Sequence, residues 1–312
     1  MEKIFKNLSL ISASFVLIVL VAIFISLFNS AKPAIEEFGL GFITESAWGK
    51  DVPIEKNPSD TAEKVVKEKP VVYDELLMGY DDTITKTIYG GLVPIVGTLL
   101  STLIAMAFAL PIAMGIAVFL AEIAPKNISN VVGIAIELLA AIPSIIFGMW
   151  GLFYFAPIVQ DIVGGYQVSL LTAGLVLGVM ILPFMAAITR DSMRTTPDVL
   201  KESAYALGAT KFEVIKDIIF PYSKKGIIGS IILALGRALG ETMAVAFLIG
   251  SIFVLPQKLN DPTVSIPVAM ANNFGEASGL ALSSLFYLAF LLFIISFIVI
   301  SIAKFYFLRK AN

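Results

Sequence analysis

The sequence predicts an all-α integral membrane protein with six transmembrane helices and a polar extracytoplasmic insertion after the first helix. Composition is the first observation behind this prediction. Of the 312 residues, 58% are hydrophobic and 15% charged, with a mean hydropathy of +0.90, whereas a soluble domain is about 45–50% apolar and about 25% charged. The second observation is that the apolar residues lie in long runs nearly free of charge. Together they exclude a soluble enzyme and a disordered or fibrous protein.

Composition also narrows the chemistry that the chain can perform. The sequence contains neither Cys nor His, which removes disulfides, thiol nucleophiles, zinc and haem sites and histidine acid–base catalysis. The net charge of −2 argues against a nucleic-acid binder, which would show a basic face. We therefore expect no metal and no nucleic-acid partner. Any chemistry has to come from other polar side chains or from a partner chain.

Six apolar runs are long enough to cross the bilayer, which takes about 20 residues. They are Leu8–Phe28, Leu92–Leu120, Val131–Ala156, Val168–Thr189, Gly226–Leu255 and Leu280–Ala303. The first run is longer than the apolar core of a signal peptide and no small-residue cleavage site follows it, so we expect an uncleaved span. The predicted organisation is an N-terminal span (1–28), an extracytoplasmic loop (29–91), a five-helix core (92–303) and a cytoplasmic tail (304–312).

The distribution of Lys and Arg predicts the orientation in the membrane. With the N-terminus inside, the inner segments hold most of the cations and the short outer loops hold only Lys258, as the positive-inside rule requires. Both termini are then cytoplasmic. The outer segment 50–70 is polar and mixed in charge, so we expect a solvated insertion, with a short helix at 61–69 as one option. The acidic excess around it suits a soluble loop, or a surface that repels anions or contacts a basic partner.

Proline and glycine predict breaks in the spans. Pro143 in AAIPSIIFG lacks an N–H and clashes with the preceding turn, so the third span should kink or unwind there. Such a break either faces protein or a water-filled path, or is an ordinary packing kink. Pro94 and its neighbouring glycines predict a bent entry to the second span. The outer loop 256–278 is rich in turn residues, and re-entry at the membrane edge is one option for it.

A cytoplasmic loop at 190–225 carries the strongest signal. Pro197 favours a new helix start, and Gly208 is typical of a helix end. The apolar residues at helical spacing are Leu200, Ala204 and Leu207 before this glycine, and Phe212, Ile215, Ile218 and Ile219 after it. Pro221 is expected to close the second segment. The pattern predicts two short helices meeting at Gly208, with an exposed apolar stripe suited to the groove of a partner.

This loop resembles the coupling loop of ABC-transporter permeases. The matching residues are Glu202, Ala204, Gly208, Ile218 and Pro221, which fit the pattern E-A-A, three residues, Gly, nine residues, Ile-x-Leu-Pro. Ser203 and Phe220 depart from it but keep the size or the apolar character. The resemblance implies a coupling helix that docks on a separate ATP-hydrolysing subunit. The sequence has no G-x-x-x-x-G-K-[ST] loop, so we expect no cofactor in this chain, and ATP and Mg²⁺ bound by the partner.

Three charged residues lie within the predicted spans: Glu137, Arg237 and Glu241. Each costs about 2.5–3.5 kcal/mol at the bilayer centre unless it is paired or hydrated. Arg237 and Glu241 are four residues apart, so on a helix they share a face and can pair. A guanidinium also suits a tetrahedral oxyanion. Two interpretations stay open for the pair, contact with a translocating anion or a structural ion pair. For Glu137 they are an interhelical anchor or a part of the path.

The wider sequence resembles the phosphate-specific ABC permease family, and its PstC-type subunit more than the PstA-type sister. The similar segments are YGGLVPIVGTLLST, AEIAP, ELLAAIPSIIFGMWG, ESAYALGATKFEVI, LGRALGETMAVAFLIG and NNFGEA, in this order. The resemblance covers about residues 85–300 and leaves the insertion at 50–80 unexplained. It implies a type I importer permease in the cell membrane, paired with a PstA-type permease, two ATPase subunits and an extracytoplasmic phosphate-binding protein. It also matches Arg237 and Glu241 to an intramembrane charged pair of the family.

Two other functions fit part of the pattern. The coupling loop alone is equally typical of an ABC permease for another oxyanion, such as sulfate or molybdate. A self-sufficient ion-coupled carrier or channel would need its own coupling-ion site near the midplane, which the three membrane charges could supply, but it leaves the cytoplasmic loop without a role. The spans contain no nucleophile–base arrangement, which disfavours an intramembrane enzyme.

Overall fold

The computed structural model describes residues 2–53 and 85–309, and these are mostly helical. The helices are α1 (Glu2–Phe38), α2 (Gly41–Thr44), α3 (Leu92–Val118), α4 (Lys126–Ala140), α5 (Ser144–Trp150), α6 (Ala156–Val163), α7 (Leu170–Arg194), α8 (Asp198–Ala206), α9 (Lys211–Glu213), α10 (Phe220–Leu239), α11 (Met243–Ala246), α12 (Ile266–Asn273) and α13 (Gly279–Arg309). Three π-helical segments continue or join them: Phe119–Ile123, Gly151–Phe155 and Val214–Ile219. Two strands, β1 (Trp48–Pro53) and β2 (Thr85–Tyr89), complete the described structure.

Six helical rods of the described chain are long and apolar enough to span a membrane, which confirms the predicted number. They are Ile4–Phe38, Leu92–Ile123, Ser144–Val163, Leu170–Arg194, Lys211–Leu239 and Gly279–Phe305. The first and last exceed their predictions, since α1 continues through Pro33 to Phe38 and α13 continues into the predicted tail at 304–312. These two rods pack against each other partly through aromatic rings, with the centroids of Phe24 and Phe290 5.2 Å apart.

The third span differs from the prediction of Val131–Ala156. The chain breaks at 141–143, as expected from Pro143, which caps the N-terminus of α5. The span is Ser144–Val163, and α4 before it is a separate amphipathic helix that buries Ser129 and Gly133 against the core. The predicted bounds were wrong because two apolar segments on either side of the proline form one continuous hydropathic run.

The fifth span also differs from its prediction of Gly226–Leu255. The helical rod begins at Lys211 and ends at Leu239, and Pro221 lies in the first turn of α10 instead of closing a helix. A proline is tolerated there because it lacks only an N–H that the first turn leaves free. After Gly240 the apolar chain continues as α11 and an irregular segment in which Leu248 and Ile249 are fully buried.

The irregular segment after α11 is stabilised by backbone hydrogen bonds to the surrounding protein. The Ser169 N–H donates to the Leu248 carbonyl at 2.8 Å, and the Thr263 N–H donates to the Ile249 carbonyl at 2.8 Å. Non-helical backbone at membrane depth is tolerated when protein surrounds it and supplies such partners. Its apolar composition therefore reflects burial in the protein and not a continued helix.

The core is built on the close packing of α3 against α7. Alanines at every fourth position of α3 are fully buried, namely Ala105, Ala109, Ala113 and Ala117. On α7 a Cβ at Gly174 would lie 2.7 Å from the Ile104 side chain, and one at Gly178 would lie 2.8 Å from Phe108. Small residues on both helices let the backbones approach, which is the usual device for helix association in membranes.

A two-stranded antiparallel ribbon stands at the base of the insertion and was not predicted. β1 pairs with β2 so that Trp48 lies opposite Tyr89 and Pro53 opposite Thr85. The Trp48 ring stacks on Phe253 with centroids 4.8 Å apart, which attaches the ribbon to the segment after α11. Most of the insertion at 50–70, including the helix suggested at 61–69, lies outside the described residues.

Candidate functional site

The loop between α7 and α10 folds into an elbow (residues 198–213), as the sequence predicted. α8 begins after Pro197, whose backbone is extended, and ends before Gly208, which has a φ of +87°. This left-handed conformation is accessible to glycine without a steric cost. Thr210 and Glu213 then form a capping box, with the Thr210 N–H donating to Glu213 Oε2 at 2.7 Å, and start α9. The turn at Gly208 and the capping box of Thr210 and Glu213 together fix the direction of α9 relative to α8.

The apolar residues of the elbow and of the π-helical segment after it divide between an exposed tip and a small core. Leu207 is 90% exposed and Phe212 is 71% exposed. Ile215 and Ile219 are instead buried with Met193 of α7. The prediction of one exposed stripe was therefore wrong for the second segment, because those isoleucines anchor the elbow to the spans. The tip is what the fold leaves uncovered for a partner.

A groove of about 360 Å³ lies in the bend of the elbow. It is lined by Ala204, Leu207, Gly208, Ala209, Glu213, Val214, Asp217 and Ile218. Three of the five motif residues, Ala204, Gly208 and Ile218, thus come together at one surface. Glu202 and Pro221 are exposed outside it. The groove combines apolar walls with two carboxylates at its rim, which suits a partner segment with apolar and basic side chains.

An ion pair attaches α8 to the end of the second span. Lys201 Nζ lies 2.8 Å from Glu122 Oε1, and the two side chains are only 16% and 11% exposed. Glu122 belongs to the π-helical segment Phe119–Ile123, and such segments often occur at functional sites. The pair was not predictable from the sequence because its members are 79 positions apart and neither charge lies in an apolar run.

A second polar contact joins three helix ends beside this ion pair. Arg194 Nη2 donates to Ser129 Oγ at 2.6 Å and to the Leu120 carbonyl at 3.2 Å, and Ser129 Oγ itself donates to that carbonyl at 2.6 Å. The end of α7, the start of α4 and the π-helical end of the second span are thereby held together. The elbow therefore rests on a polar platform built from three other elements.

Glu137 forms a contact between α4 and α7. Its Oε1 lies 2.7 Å from Arg190 Nη2, and the Arg190 side chain is only 6% exposed. Arg190 also pairs with the neighbouring Asp191 at 2.7 Å. Arg190, the first residue of the predicted cytoplasmic loop, is instead a buried residue of α7. This geometry matches the interpretation of Glu137 as an interhelical anchor.

Arg237 and Glu241 do not pair as predicted. The helix ends at Leu239, so the two residues do not share a helical face. Glu241 Oε1 accepts from the Ala244 N–H at 3.2 Å and caps α11, while the Arg237 guanidinium carbon lies 5.7 Å from the centroid of the Phe184 ring. No carboxylate within the described ranges 2–53 and 85–309 forms an ion pair with Arg237. Its half-buried guanidinium thus keeps hydrogen-bond donors for another anion.

The described part of the chain contains no group of three or more acidic side chains placed to hold a metal ion. The charged contacts that stand out in this part of the chain belong to the elbow, its platform and the end of α10.

Comparison with known proteins identifies the family. Residues 113–311 match the family of binding-protein-dependent transport system inner membrane components. The chain belongs to this family. The matched region runs from the second half of α3 to the end of α13 and contains the whole elbow and its platform.

The permease also has relatives that are similar along almost its whole length. It is 40% identical to the phosphate transport system permease protein PstC of Pasteurella multocida, over 99% of this chain and 92% of that protein. It is 41% identical to that of Haemophilus influenzae, over 97% and 92% of the two chains. A probable PstC of Methanocaldococcus jannaschii is 32% identical over 98% and 93%. These similarities confirm the resemblance to the phosphate-specific permease family and its PstC type.

A solved structure is similar in fold. The permease matches a chain of the MetNI methionine ABC transporter in an inward-facing conformation with a TM-score of 0.53 and 19% identity, over 70% of this chain and 92% of that one. The likeness confirms the ABC importer permease fold. The six candidate spans and the family together make the chain a multi-pass inner membrane protein.

Proposed function

We propose that this chain is a transmembrane permease subunit of an ATP-driven inorganic phosphate importer and forms half of its translocation path. The observation that carries the proposal is the elbow, whose exposed Leu207 and Phe212 stand on a rigid platform at the end of two spans. An exposed apolar tip of this kind is suited to insertion into a partner. The PstC relatives are phosphate transport system permeases, which supports phosphate as the substrate.

The proposed partners follow from what the chain lacks and from what it exposes. Its sequence has no phosphate-binding loop for ATP, so ATP and Mg²⁺ belong to a separate ATPase subunit, present in two copies. One copy binds the elbow of this chain, and the other binds a second, PstA-type permease that completes the translocation path. An extracytoplasmic phosphate-binding protein delivers the substrate at the face that carries the ribbon and α12.

The orientation follows from the number of spans before each loop. Four of the six rods precede the elbow, so the elbow lies on the same side as the N-terminus, and six rods return the C-terminus to that side. The cations of the loop at 190–225 favour the cytoplasm for it. Both termini and the elbow are then cytoplasmic, where the ATPase acts, and the ribbon is extracytoplasmic.

The substrate path is assigned to the charges near the end of α10. Arg237 keeps free donors, and a guanidinium binds the oxygens of a tetrahedral anion bidentately. Glu241 follows the end of α10 and accepts a hydrogen bond from the first turn of the short helix α11. A movement of the Glu241 side chain would therefore shift the backbone next to the bound anion. Glu137 is occupied by Arg190, and its part is to hold α4 in place beside the path.

Transport by the reconstituted complex tests the proposal. The complete assembly in vesicles is expected to take up phosphate in proportion to ATP hydrolysis, with sulfate and molybdate as weak competitors. Preferred uptake of sulfate or molybdate would assign the chain to another oxyanion. Phosphate uptake by this chain alone, without an ATPase, would support an ion-coupled carrier and overturn the role of the elbow.

A further inference from the structure

A pocket at the membrane surface is not used by the proposed transport cycle. It has a volume of about 290 Å³ and is lined by Leu120, Ala121, Ala124, Lys126, Ser129, Asn130 and Arg194. We call it the interfacial pocket. It lies where the spans Leu92–Ile123 and Leu170–Arg194 end and where α4 begins. Both spans stop at this level, so the pocket lies at the depth of the lipid head groups.

The charges around the interfacial pocket are of one sign. Lys126 and Arg194 are its charged lining residues, and no carboxylate lines it. Glu122 is close in sequence, but its carboxylate pairs with Lys201. The Asn130 side chain adds an amide to the wall. A concave site with two cations, an amide and no acid is suited to an anion with several acceptor oxygens.

Arg194 and Lys126 both have hydrogen-bond donors available for such an anion, but they differ in how firmly the side chain is held. Arg194 is held in place through Nη2 alone, by the Leu120 carbonyl and Ser129 Oγ. Its Nε and Nη1 make no hydrogen bond to the described residues 2–53 and 85–309, so the guanidinium is oriented but not saturated. Lys126 forms no ion pair within these same ranges, and its ammonium group supplies a mobile positive charge.

The surface next to the pocket indicates what carries the anion. α4 turns Ser129 and Gly133 towards the core, and its opposite face exposes the apolar side chains of Ile128, Val131 and Ile134. This face begins at the pocket and continues along α4. A cationic pocket continuous with an apolar helix face matches an amphiphile with a charged head and hydrocarbon chains.

We propose that the interfacial pocket binds the phosphate group of an anionic phospholipid, with the acyl chains lying along the exposed face of α4. The bound phosphate bridges Arg194 at the end of α7 and Lys126 at the start of α4. It therefore reinforces the platform on which the elbow rests. The pocket residues Leu120 and Ala124 are each two positions from Glu122, which pairs with Lys201 of the elbow. The proposal does not depend on which solute the permease transports.

Lipid retention by the purified full-length chain tests the proposal. The protein is exchanged into an uncharged detergent, supplied with phosphatidylglycerol or phosphatidylcholine, and examined by native mass spectrometry and thermal unfolding. We expect phosphatidylglycerol to be retained preferentially and to raise the unfolding temperature. Lys126→Gln, which breaks no ion pair within residues 2–53 and 85–309, is expected to weaken retention about fivefold, the contribution of one cation near an anionic surface.

A matched control and a competing anion make the result decisive. Lys304→Gln removes the same charge from the end of α13, outside the pocket, and is expected to retain the lipid as the wild type does. Equal retention of the two lipids, or equal loss in both variants, would overturn the proposal. Inorganic phosphate that stabilises the wild type as well as phosphatidylglycerol does, with the effect lost in Lys126→Gln, would overturn the lipid assignment and identify a soluble phosphate site.

Discussion

The Lys201–Glu122 ion pair makes the strongest prediction about energy transmission. Lys201→Met keeps the length of the side chain but removes the ammonium group, which leaves the Glu122 carboxylate without its partner while it is only 11% exposed. A carboxylate in that position favours any conformation in which α8 moves away and water enters. We therefore expect the elbow of this variant to detach from the second span more often than in the wild type.

The size of the effect follows from the distance and the burial. Two unit charges 2.8 Å apart attract by about 6 kcal/mol at an effective dielectric constant of about 20. Most of this offsets the desolvation of the two groups, and removal of one partner from a buried pair costs about 3–5 kcal/mol. Because both groups keep some contact with solvent, we take about 3 kcal/mol, which changes the ratio of attached to detached α8 by more than a hundredfold.

The assay measures phosphate uptake and ATP hydrolysis by the complete complex in vesicles. Lys201→Met is expected to lower uptake per ATP at least tenfold while basal hydrolysis continues. The double variant with Glu122→Gln should recover part of the uptake, since it leaves no unpaired charge. Lys32→Met breaks an exposed pair on α1 and should transport normally. Normal coupling in Lys201→Met, or a double variant as impaired as the sum of the single ones, would refute the reasoning.

Three further predictions concern single positions. Gly208→Ala places a side chain at a φ of +87° and should uncouple transport from ATP hydrolysis. Gly39→Ala, at a φ of +53° near the opposite surface, is the control and should leave coupling unchanged. Equal coupling in the two variants would contradict the role of the elbow. Gly97→Ala brings a Cβ into a steric clash with the Val264 carbonyl oxygen and should lower stability by about 1–3 kcal/mol. Gly115→Ala in the same helix meets open space, so thermal unfolding of the two variants should differ. Arg237→Gln should lower phosphate uptake at least tenfold in vesicles while the complex still assembles, and unchanged uptake would remove this residue from the path.

The number of spans and the bend of the elbow were predictable from local signals. Apolar run length determines whether a segment can cross the bilayer, and Gly208 and Pro197 act on the chain beside them. The break at Pro143 followed for the same reason. In each case the residues that cause the feature lie within a few positions of it, so the feature can be predicted from one sequence without knowledge of long-range contacts.

The errors came from contacts between distant parts of the chain. Gly226–Leu255 reads as one apolar span, but its second half is irregular backbone that depends on hydrogen bonds from Ser169 and Thr263. The expected pairing of Arg237 with Glu241 assumed that the helix continued past Gly240. The ion pair of Lys201 joins residues that no local pattern connects. Hydropathy gives the preference of a segment for an apolar environment but does not distinguish lipid from protein as its source.

The ribbon of β1 and β2 has a consequence for the length of the insertion that lies between its strands. Pro53 lies opposite Thr85 in the antiparallel register, so the chain leaves the ribbon and returns to it at points only one strand spacing apart, about 5 Å. Closing a longer excursion between two fixed points adds little entropy cost, about 0.6 kcal/mol for each doubling of length. Sequences can therefore lengthen, shorten or replace the segment between these strands while the transmembrane scaffold keeps its geometry.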